Sequence, residues 1–406
     1  MKIRNIGIYG RRNVGKSSLI NMIAGQQVAI VDSLAGTTTD PVRKRMEIYG
    51  VGPCNLIDTA GVDDYGTLGE KRVGKSLASA DEVDLALIVF KWNCFGEEEE
   101  KIASLMETKG VPFILIHNFA DYENIESALA EKLKNRYKTD VIDFSCKPSA
   151  ILPAGSNVSD IIDAIVRKFS KETDRFGNRT ILQGIVNQGD KIVFVCPVDS
   201  EAPSGRLILP QVMAIRDVLD NHGTAITVQP QELAHTLESV DNIKMVITDS
   251  QVFGYVAKVV PENIPLGSFS ILLARSKGPF EAYMNGLRQI DNLREGDNVL
   301  VLESCTHIAT CEDIGRVKIP KMLQKYCGCS LNFTFVGGAD PVPAGNFSLV
   351  VQCGGCMASS RALYNRVGAL LDRGFAVTNY GMTIAYVSGL FKKPSFYRFM
   401  QLIGLR

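Results

Sequence analysis

Over the first 171 residues, short apolar runs alternate with amphipathic stretches. Ile3–Tyr9, Asn55–Asp58, Leu85–Lys91, Pro112–Asn118 and Asp140–Ser145 have the length and content of buried strands, and helical periodicity fills the segments between them. That alternation predicts a parallel sheet with crossover helices. Lys168 to Arg179 is polar and charged and reads as a linker. A second alternation follows, with strands at Lys191–Pro197, Thr224–Val228 and Met245–Thr248 and a helix over Leu209–Asp220. After Pro265 comes a third: helices near Pro279–Gln289, Ile314–Lys325 and Ser359–Leu371, and strands at Asn298–Glu303, Leu331–Val336, Ser348–Gln352 and Phe375–Thr378. The expected fold class is α/β, a nucleotide-binding domain at 1–171 followed by two further α/β domains, 180–265 and 266–406, with mainly parallel sheets. No sequence-level repeat is visible between these two. The most apolar stretch, Phe375 to Phe391, holds Thr378, Asn379 and Thr383 and reads as a buried strand and helix rather than a membrane span, which needs about 18 uninterrupted apolar residues.

The run Gly10-Arg-Arg-Asn-Val-Gly-Lys-Ser17 follows the first strand and opens a helix. In that context G-x-x-x-x-G-K-S is a phosphate loop. Gly10 and Gly15 let backbone N–H groups curl around phosphate oxygens, and the helix N-terminus, including Ser18, adds positive potential. Lys16 is expected on the β- and γ-phosphates, and Ser17 on Mg²⁺. Asp58-Thr-Ala-Gly61 ends a later strand: Asp58 there holds Mg²⁺ through water, and the Gly61 amide meets the γ-phosphate. Between them lies Gly36-Thr-Thr-Thr-Asp40, a loop from which a threonine can close over the metal.

Asn118-Phe-Ala-Asp121 follows another strand and approximates the guanine motif Asn-Lys-x-Asp. Asp121 would accept from the N1 and N2 donors of guanine, a pairing that rejects adenine. Phe119 stands at the lysine position. That lysine normally covers the nucleotide with its stem and braces the loop; Phe119 can stack but brings no charge, so modest affinity for GTP and GDP is expected. Ser145-Cys146-Lys147 fits the backup motif that supports the guanine carbonyl. The residue after Gly61 is Val62, which cannot orient an attacking water. Asn13, Gly-Thr-Thr-x-Asp and Asp-Thr-Ala-Gly together resemble the TrmE–Era–EngA group of GTPases, in which K⁺ sits beside the phosphates. The resemblance implies slow, K⁺-stimulated hydrolysis of GTP to GDP and phosphate, with Asn13 on the K⁺ and Thr38 on the Mg²⁺.

Composition changes this picture little, with 46% hydrophobic and 22% charged residues and zero net charge. The absence of net charge and of any basic run argues against nucleic acid as the main partner. The N-terminus reads as a first strand with no export signal before it, which implies a cytoplasmic protein. Ten cysteines then become informative, because disulfides are not expected there. Cys305 and Cys353 each end a strand, and Cys356 then opens a helix, as Cys353-Gly-Gly-Cys356, whose glycines permit the tight turn a chelate needs. Ligand sites in open parallel sheets gather at the carboxyl ends of strands. Three thiolates there suit an iron–sulfur cluster, a zinc site with a further ligand, or a redox pair. His307 is a possible ligand or a donor to one. Cys311, Cys327 and Cys329 lie outside the pattern and read as buried or free thiols.

A GTPase of this type joined to Cys-x-His and Cys-x-x-Cys motifs resembles the HydF family of FeFe-hydrogenase H-cluster maturation GTPases. Gly205-Arg-Leu-Ile-Leu-Pro-Gln211 is a further mark of that likeness. The resemblance implies a middle domain that forms a homodimer and a C-terminal domain that binds a 4Fe-4S cluster. It also implies a scaffold or carrier role for a diiron subcluster precursor, made with the maturases HydE and HydG and delivered to apo-hydrogenase HydA. The family's Cys-x-His falls on Cys305 and His307, and its His-Cys-x-x-Cys on Gln352, Cys353 and Cys356. The histidine before Cys353 is therefore Gln352, which leaves the fourth iron position to an exchangeable ligand, a carboxylate, His307 or solvent. A TrmE- or Era-like GTPase acting in RNA modification or ribosome assembly is the competing reading, and a zinc-stabilised GTP switch is a third.

Overall fold

The structure is a computed structural model, and it describes residues 3–25, 33–34, 42–61, 79–146, 157–171, 179–198, 207–303, 314–337, 340–356 and 358–404. It divides into two compact units, Met1–Arg175 and Phe176–Arg406. Among the described residues no helix is long and apolar enough to cross a membrane.

In the first unit, β1 (Arg4–Tyr9), β2 (Ser33–Leu34), β3 (Val42–Ile48), β4 (Gly52–Asp58), β5 (Leu85–Lys91), β6 (Phe113–Asn118) and β7 (Val141–Asp143) form one sheet in the order β2-β3-β4-β1-β5-β6-β7. From β4 to β7 every pairing is parallel. The central strands are apolar on both faces because both are covered. Leu85, Leu87 and Val89 pack under α1 (Lys16–Gly25) and α4 (Val158–Lys171), whereas Ala86, Ile88 and Phe90 face α2 (Glu97–Lys109) and α3 (Ser127–Tyr137). Four glutamates open α2, where the helix dipole favours them, and Gly110 closes it in the left-handed region at φ 60.

Two expectations are corrected here. The sheet is not wholly parallel: β3 is antiparallel to β4, and β2 to β3. The sequence of β3, Val-Arg-Lys-Arg-Met-Glu-Ile, hid it, because its long charged side chains mask the alternation. The linker expected from Lys168 begins later, since α4 runs to Lys171.

In the second unit, β8 (Lys191–Val195), β9 (Thr224–Val228), β10 (Ile243–Thr248) and β11 (Leu266–Ser268), joined in turn through α5 (Leu209–Asp220), α6 (Leu233–Ser239) and α7 (Phe253–Val259), form an all-parallel sheet in the order β11-β10-β8-β9. Leu266–Ser268, assigned above to the last segment, is thus the edge of this sheet. A second all-parallel sheet holds β12 (Asn298–Leu302), β13 (Asn332–Val336), β14 (Leu349–Gln352) and β15 (Val377–Asn379) in the order β13-β12-β14-β15. Both sheets share one topology, with the first strand flanked by the second and third and the fourth outside the third. The sequence showed no such duplication.

Each fourth strand runs directly into a helix capped by its own last residue. Ser268 accepts from the Ile271 amide to start α8 (Phe269–Lys277), and Asn379 accepts from Met382 to start α12 (Tyr380–Val387). The next helix of each half then crosses over. α9 (Phe280–Leu287) packs on β15 of the second sheet, and α13 (Pro394–Leu402) packs on β11 of the first. One apolar core runs through both halves.

The crossing elements touch where there is no side chain. A Cβ on Gly286 of α9 would lie 2.1 Å from the Val377 carbonyl oxygen, and one on Gly267 of β11 would lie 2.2 Å from the buried Phe399 ring. Alanine in place of a helical glycine ordinarily stabilises. Gly286→Ala is expected to do the reverse, destabilising the unit by about 1–3 kcal/mol through backbone displacement, measured as a lower midpoint in thermal or urea unfolding.

Candidate functional site

The phosphate loop lies at the carboxyl end of β1, whose onward connection leads to the β2–β4 side of the sheet, whereas that of its neighbour β5 leads to β6 on the other side. This is the switch point at which open α/β sheets bind ligands. The loop is held by its carbonyls. Lys16 Nζ donates to Gly10 O at 3.1 Å and Arg11 O at 2.7 Å. Lys91 Nζ donates to Asn13 O at 3.1 Å, the Asn118 side-chain amide to Val14 O at 2.8 Å, and the Cys146 thiol to Gly15 O at 3.9 Å. Gly15 sits at φ +92, and a Cβ on it would stand 2.2 Å from Asn118 Nδ2, so no other residue fits. Burial pushes the Cys146 thiol up to about 11, so it serves as a neutral donor. Arg11 makes a bidentate pair with buried Glu99 at 2.8 and 2.5 Å, and this pair holds the guanidinium pKa above its usual value. Asn13 is exposed at φ 56.

Two of the residues expected at Mg²⁺ meet. Ser17 Oγ, exposed beside Ser18 in the first turn of α1, donates to Asp58 Oδ2 at 2.6 Å. A hydroxyl and a carboxylate in contact at a loop built for phosphates are a donor set suited to a hard cation. Thr59 Oγ1 donates to Ile8 O at 2.6 Å and pins the Asp58–Gly61 turn, in which Gly61 is buried, to β1. Thr38, Val62 and Lys147 lie outside the described residues.

At the base end, Ser145 Oγ donates to Asp121 Oδ1 at 2.5 Å, so the backup motif acts through a side chain as well. The Asn118 side-chain oxygen accepts from the Phe119 amide at 2.9 Å. Phe119, at φ 70, stacks on Trp92 with centroids 5.7 Å apart and planes 14° apart. Fully buried His117 joins the end of β7 to the loop after β5: its Nδ1 is 2.6 Å from Asp143, and Nε2 accepts from the Asn93 amide at 3.3 Å. Lys91, Trp92, Glu99 and Asn93 carry no motif and were missed. The available signal was a lysine ending an otherwise wholly apolar strand.

In the second unit, β12 and β14 are neighbours, with Leu302 opposite Gln352, and their onward connections lead to opposite sides of the sheet. Cys353 follows β14 directly, and its amide donates to Leu302 O at 2.8 Å. Cys356 does not open a helix. It lies in a turn, and α11 (Ser360–Asp372) starts later, where Ser359 accepts from the Ala362 amide. Buried Lys277 donates to Cys356 O at 2.8 Å and Ala358 O at 3.2 Å, which brings a cation to the backbone of this turn. Gln352 is buried, and its amide donates to Cys353 O at 3.1 Å. Cys305, His307 and Cys311 lie outside the described residues. Among the described residues alone, no group of three or more His, Cys, Asp or Glu is placed to hold a metal ion. Cys327 and Cys329 stand away from this turn, at the end of α10 (Ile319–Cys327) and just beyond it, and burial pushes the Cys327 thiol up to about 11.

Residues 181–278 match the family model described as hydrogen maturase F dimerization domain, and 281–395 match the hydrogen maturase F tetramerization domain. The chain belongs to the hydrogen maturase F family. Residues 5–119 match a third model, 50S ribosome-binding GTPase, so the hydrogen maturase F halves follow a GTPase domain. That domain is 35% identical over 127 residues to the tRNA modification GTPase MnmE of Nitrosomonas eutropha, covering 30% of this chain and 28% of that one. It is 38% identical over 135 residues to GTPase Der of Chlamydia pneumoniae, covering 32% and 27%. The chain thus spans less than a third of the length of these relatives. Of solved structures, Aquifex aeolicus Era bound to GDP and aluminium fluoride is similar at 24% identity and TM-score 0.33, covering 41% of this chain and 57% of that one. The G domain of the T. maritima iron transporter FeoB gives 16% identity and TM-score 0.31, covering 42% and 99%.

Asp121→Ala removes the carboxylate expected to accept two guanine donors. It should raise the Kd for GDP by about 100-fold or more, the worth of two hydrogen bonds to a charged group, in a calorimetric titration.

Proposed function

We propose that this chain hydrolyses GTP slowly and, through its second unit, carries an iron–sulfur cluster and a diiron precursor destined for apo-hydrogenase. The observation that supports this most is the coincidence of two hydrogen maturase F domains with Cys353-Gly-Gly-Cys356 at the strand ends of a switch point. The RNA-directed reading rests on the first domain alone, where the MnmE and Der likenesses lie.

In the first unit the phosphate-loop amides and Lys16 bind the triphosphate, and Asp121 with Ser145 orients guanine. Ser17 and Asp58, with Thr38, hold Mg²⁺, which when bound neutralises charge developing on the phosphates. Asn13 is the assigned K⁺ ligand. In the second unit Cys305, Cys353 and Cys356 hold the 4Fe-4S cluster, and a fourth iron without a cysteine supplies an exchangeable coordination position. Lys277 keeps the Cys356 turn in place. Gln352 is a poor iron ligand and is engaged with Cys353 O, which leaves that fourth position to His307 or an exogenous ligand. The chain assembles as a homodimer or a higher oligomer through its second unit, receives the precursor in concert with HydE and HydG, and delivers it to HydA in the cytoplasm.

Two measurements test this reading. After anaerobic reconstitution with iron and sulfide, Cys305→Ser, Cys353→Ser and Cys356→Ser should each lose cluster absorbance and hydrogenase activation; retention of the cluster by all three overturns the assignment. GTP turnover should be faster in potassium than in sodium chloride, and equal rates exclude the Asn13 role.

A further inference from the structure

The guanine motif lacks its lysine, because Phe119 stands in that place. That lysine braces the loop with a charge and covers the nucleotide with its aliphatic stem; here a different ammonium makes the charged brace, to a phosphate-loop carbonyl. We propose that Lys91, at the end of the neighbouring strand, has taken over this work, with Phe119 as the platform that positions it. Lys91 is therefore a positioning residue for nucleotide binding.

The register of the sheet makes the exchange possible. β5 and β6 are parallel, and Lys91 is the partner of Asn118, the residue before Phe119. A side chain from 91 thus starts level with the motif, one strand closer to the phosphate loop. Its ammonium donates to Asn13 O at 3.1 Å and lies 5.7 Å from the centroid of the Phe119 ring. A cation over an aromatic face is attracted by the ring quadrupole, and the ring cannot compete for the carbonyl. Trp92 stacks on the Phe119 ring, with planes 14° apart, and holds it in place.

The backbone is committed to this arrangement. Phe119 at φ 70, Trp92 at φ 57 and Asn93 at φ 50 all occupy the left-handed region, which non-glycine residues adopt only when their surroundings enforce it. The enforcement is visible. Asn93 Oδ1 accepts from the Glu126 amide at 2.8 Å, and its Nδ2 donates to Asn124 O at 3.2 Å, which latches the loop after β5 to the loop after β6. The Phe119 carbonyl accepts from the Tyr122 amide at 2.9 Å. A lysine at 119 beside Lys91 would set two ammonium groups against one carbonyl, so lysine at 91 and phenylalanine at 119 form a complementary pair.

The test is a double-mutant cycle on the full chain, with the Kd for GDP measured by calorimetry. Lys91→Ala should raise Kd about tenfold, the worth of one charge-assisted hydrogen bond. Lys91→Met, which keeps the stem, should lose most of the same factor. Phe119→Lys in the Lys91→Ala background should restore binding to within about twofold, whereas Phe119→Lys alone should not improve it. A Kd for Lys91→Ala within about twofold of the unaltered chain overturns the proposal. So does a loss that Phe119→Lys fails to rescue in a variant with unaltered circular dichroism, because Lys91 would then act only through local packing.

Discussion

The nucleotide site depends on how the carbonyl side of one loop is satisfied. Asn13, Val14 and Gly15 form consecutive turns of the phosphate loop, and their three carbonyls accept from Lys91, Asn118 and Cys146 in that order. These donors end or follow β5, β6 and β7, three adjacent strands of the sheet. A peptide whose carbonyl faces the guanine loops turns its N–H the other way, towards the phosphates. The sheet therefore sets the spacing of the donors, the donors set the rotation of each peptide plane, and the planes set the anion cradle. Left unmet, the buried Val14 carbonyl would cost about 1–3 kcal/mol, which ties the base end and the phosphate end together.

The second unit rests on a different constraint. Each four-stranded sheet is too small to cover its own edge, and each borrows a helix from the other half to do so. α9 leaves the first half for β15, and α13 leaves the second for β11. The close approaches at Gly286 and Gly267, together with Gly381 against Ser270 where α12 meets α8, lie along this exchange. The cysteine turn inherits its support from it. Lys277, which grips the Cys356 turn, is the last residue of α8, a helix that begins in the first half.

Much of this was legible in the chain. The strands Leu85–Lys91 and Thr224–Val228 and the helix Leu209–Asp220 have the predicted bounds, because runs apolar on both faces, or with sharp Pro and Gly borders, leave little ambiguity. Motifs singled out Ser17 with Asp58 and Asn118 with the phosphate loop because phosphate and guanine chemistry admit few substitutes, and these residues do come together. What stayed hidden has a physical reason in each case. β3 is an edge-side strand carrying Arg43, Lys44, Arg45 and Glu47, so its pattern resembles a solvated loop. The duplication in the second unit is one of topology, and packing tolerates many sequences for one arrangement. Lys91 acts across strands, a relation that sequence spacing does not encode. Cys356 was drawn towards a helix that Ser359, three residues on, in fact begins.

The exchanged helices also bear on inheritance. A domain that covers its own core can be cut out, copied and joined elsewhere. Here each half ends in a helix whose apolar face fits a notch in the other, Phe399 against Gly267 and Gly286 against Val377. A recombination junction between the two would leave both halves with an uncovered edge and a helix lacking its seat. The two halves of the second unit must therefore travel together as a single heritable piece, whereas the GTPase unit, with its own sheet and two cores of its own, is free to be traded.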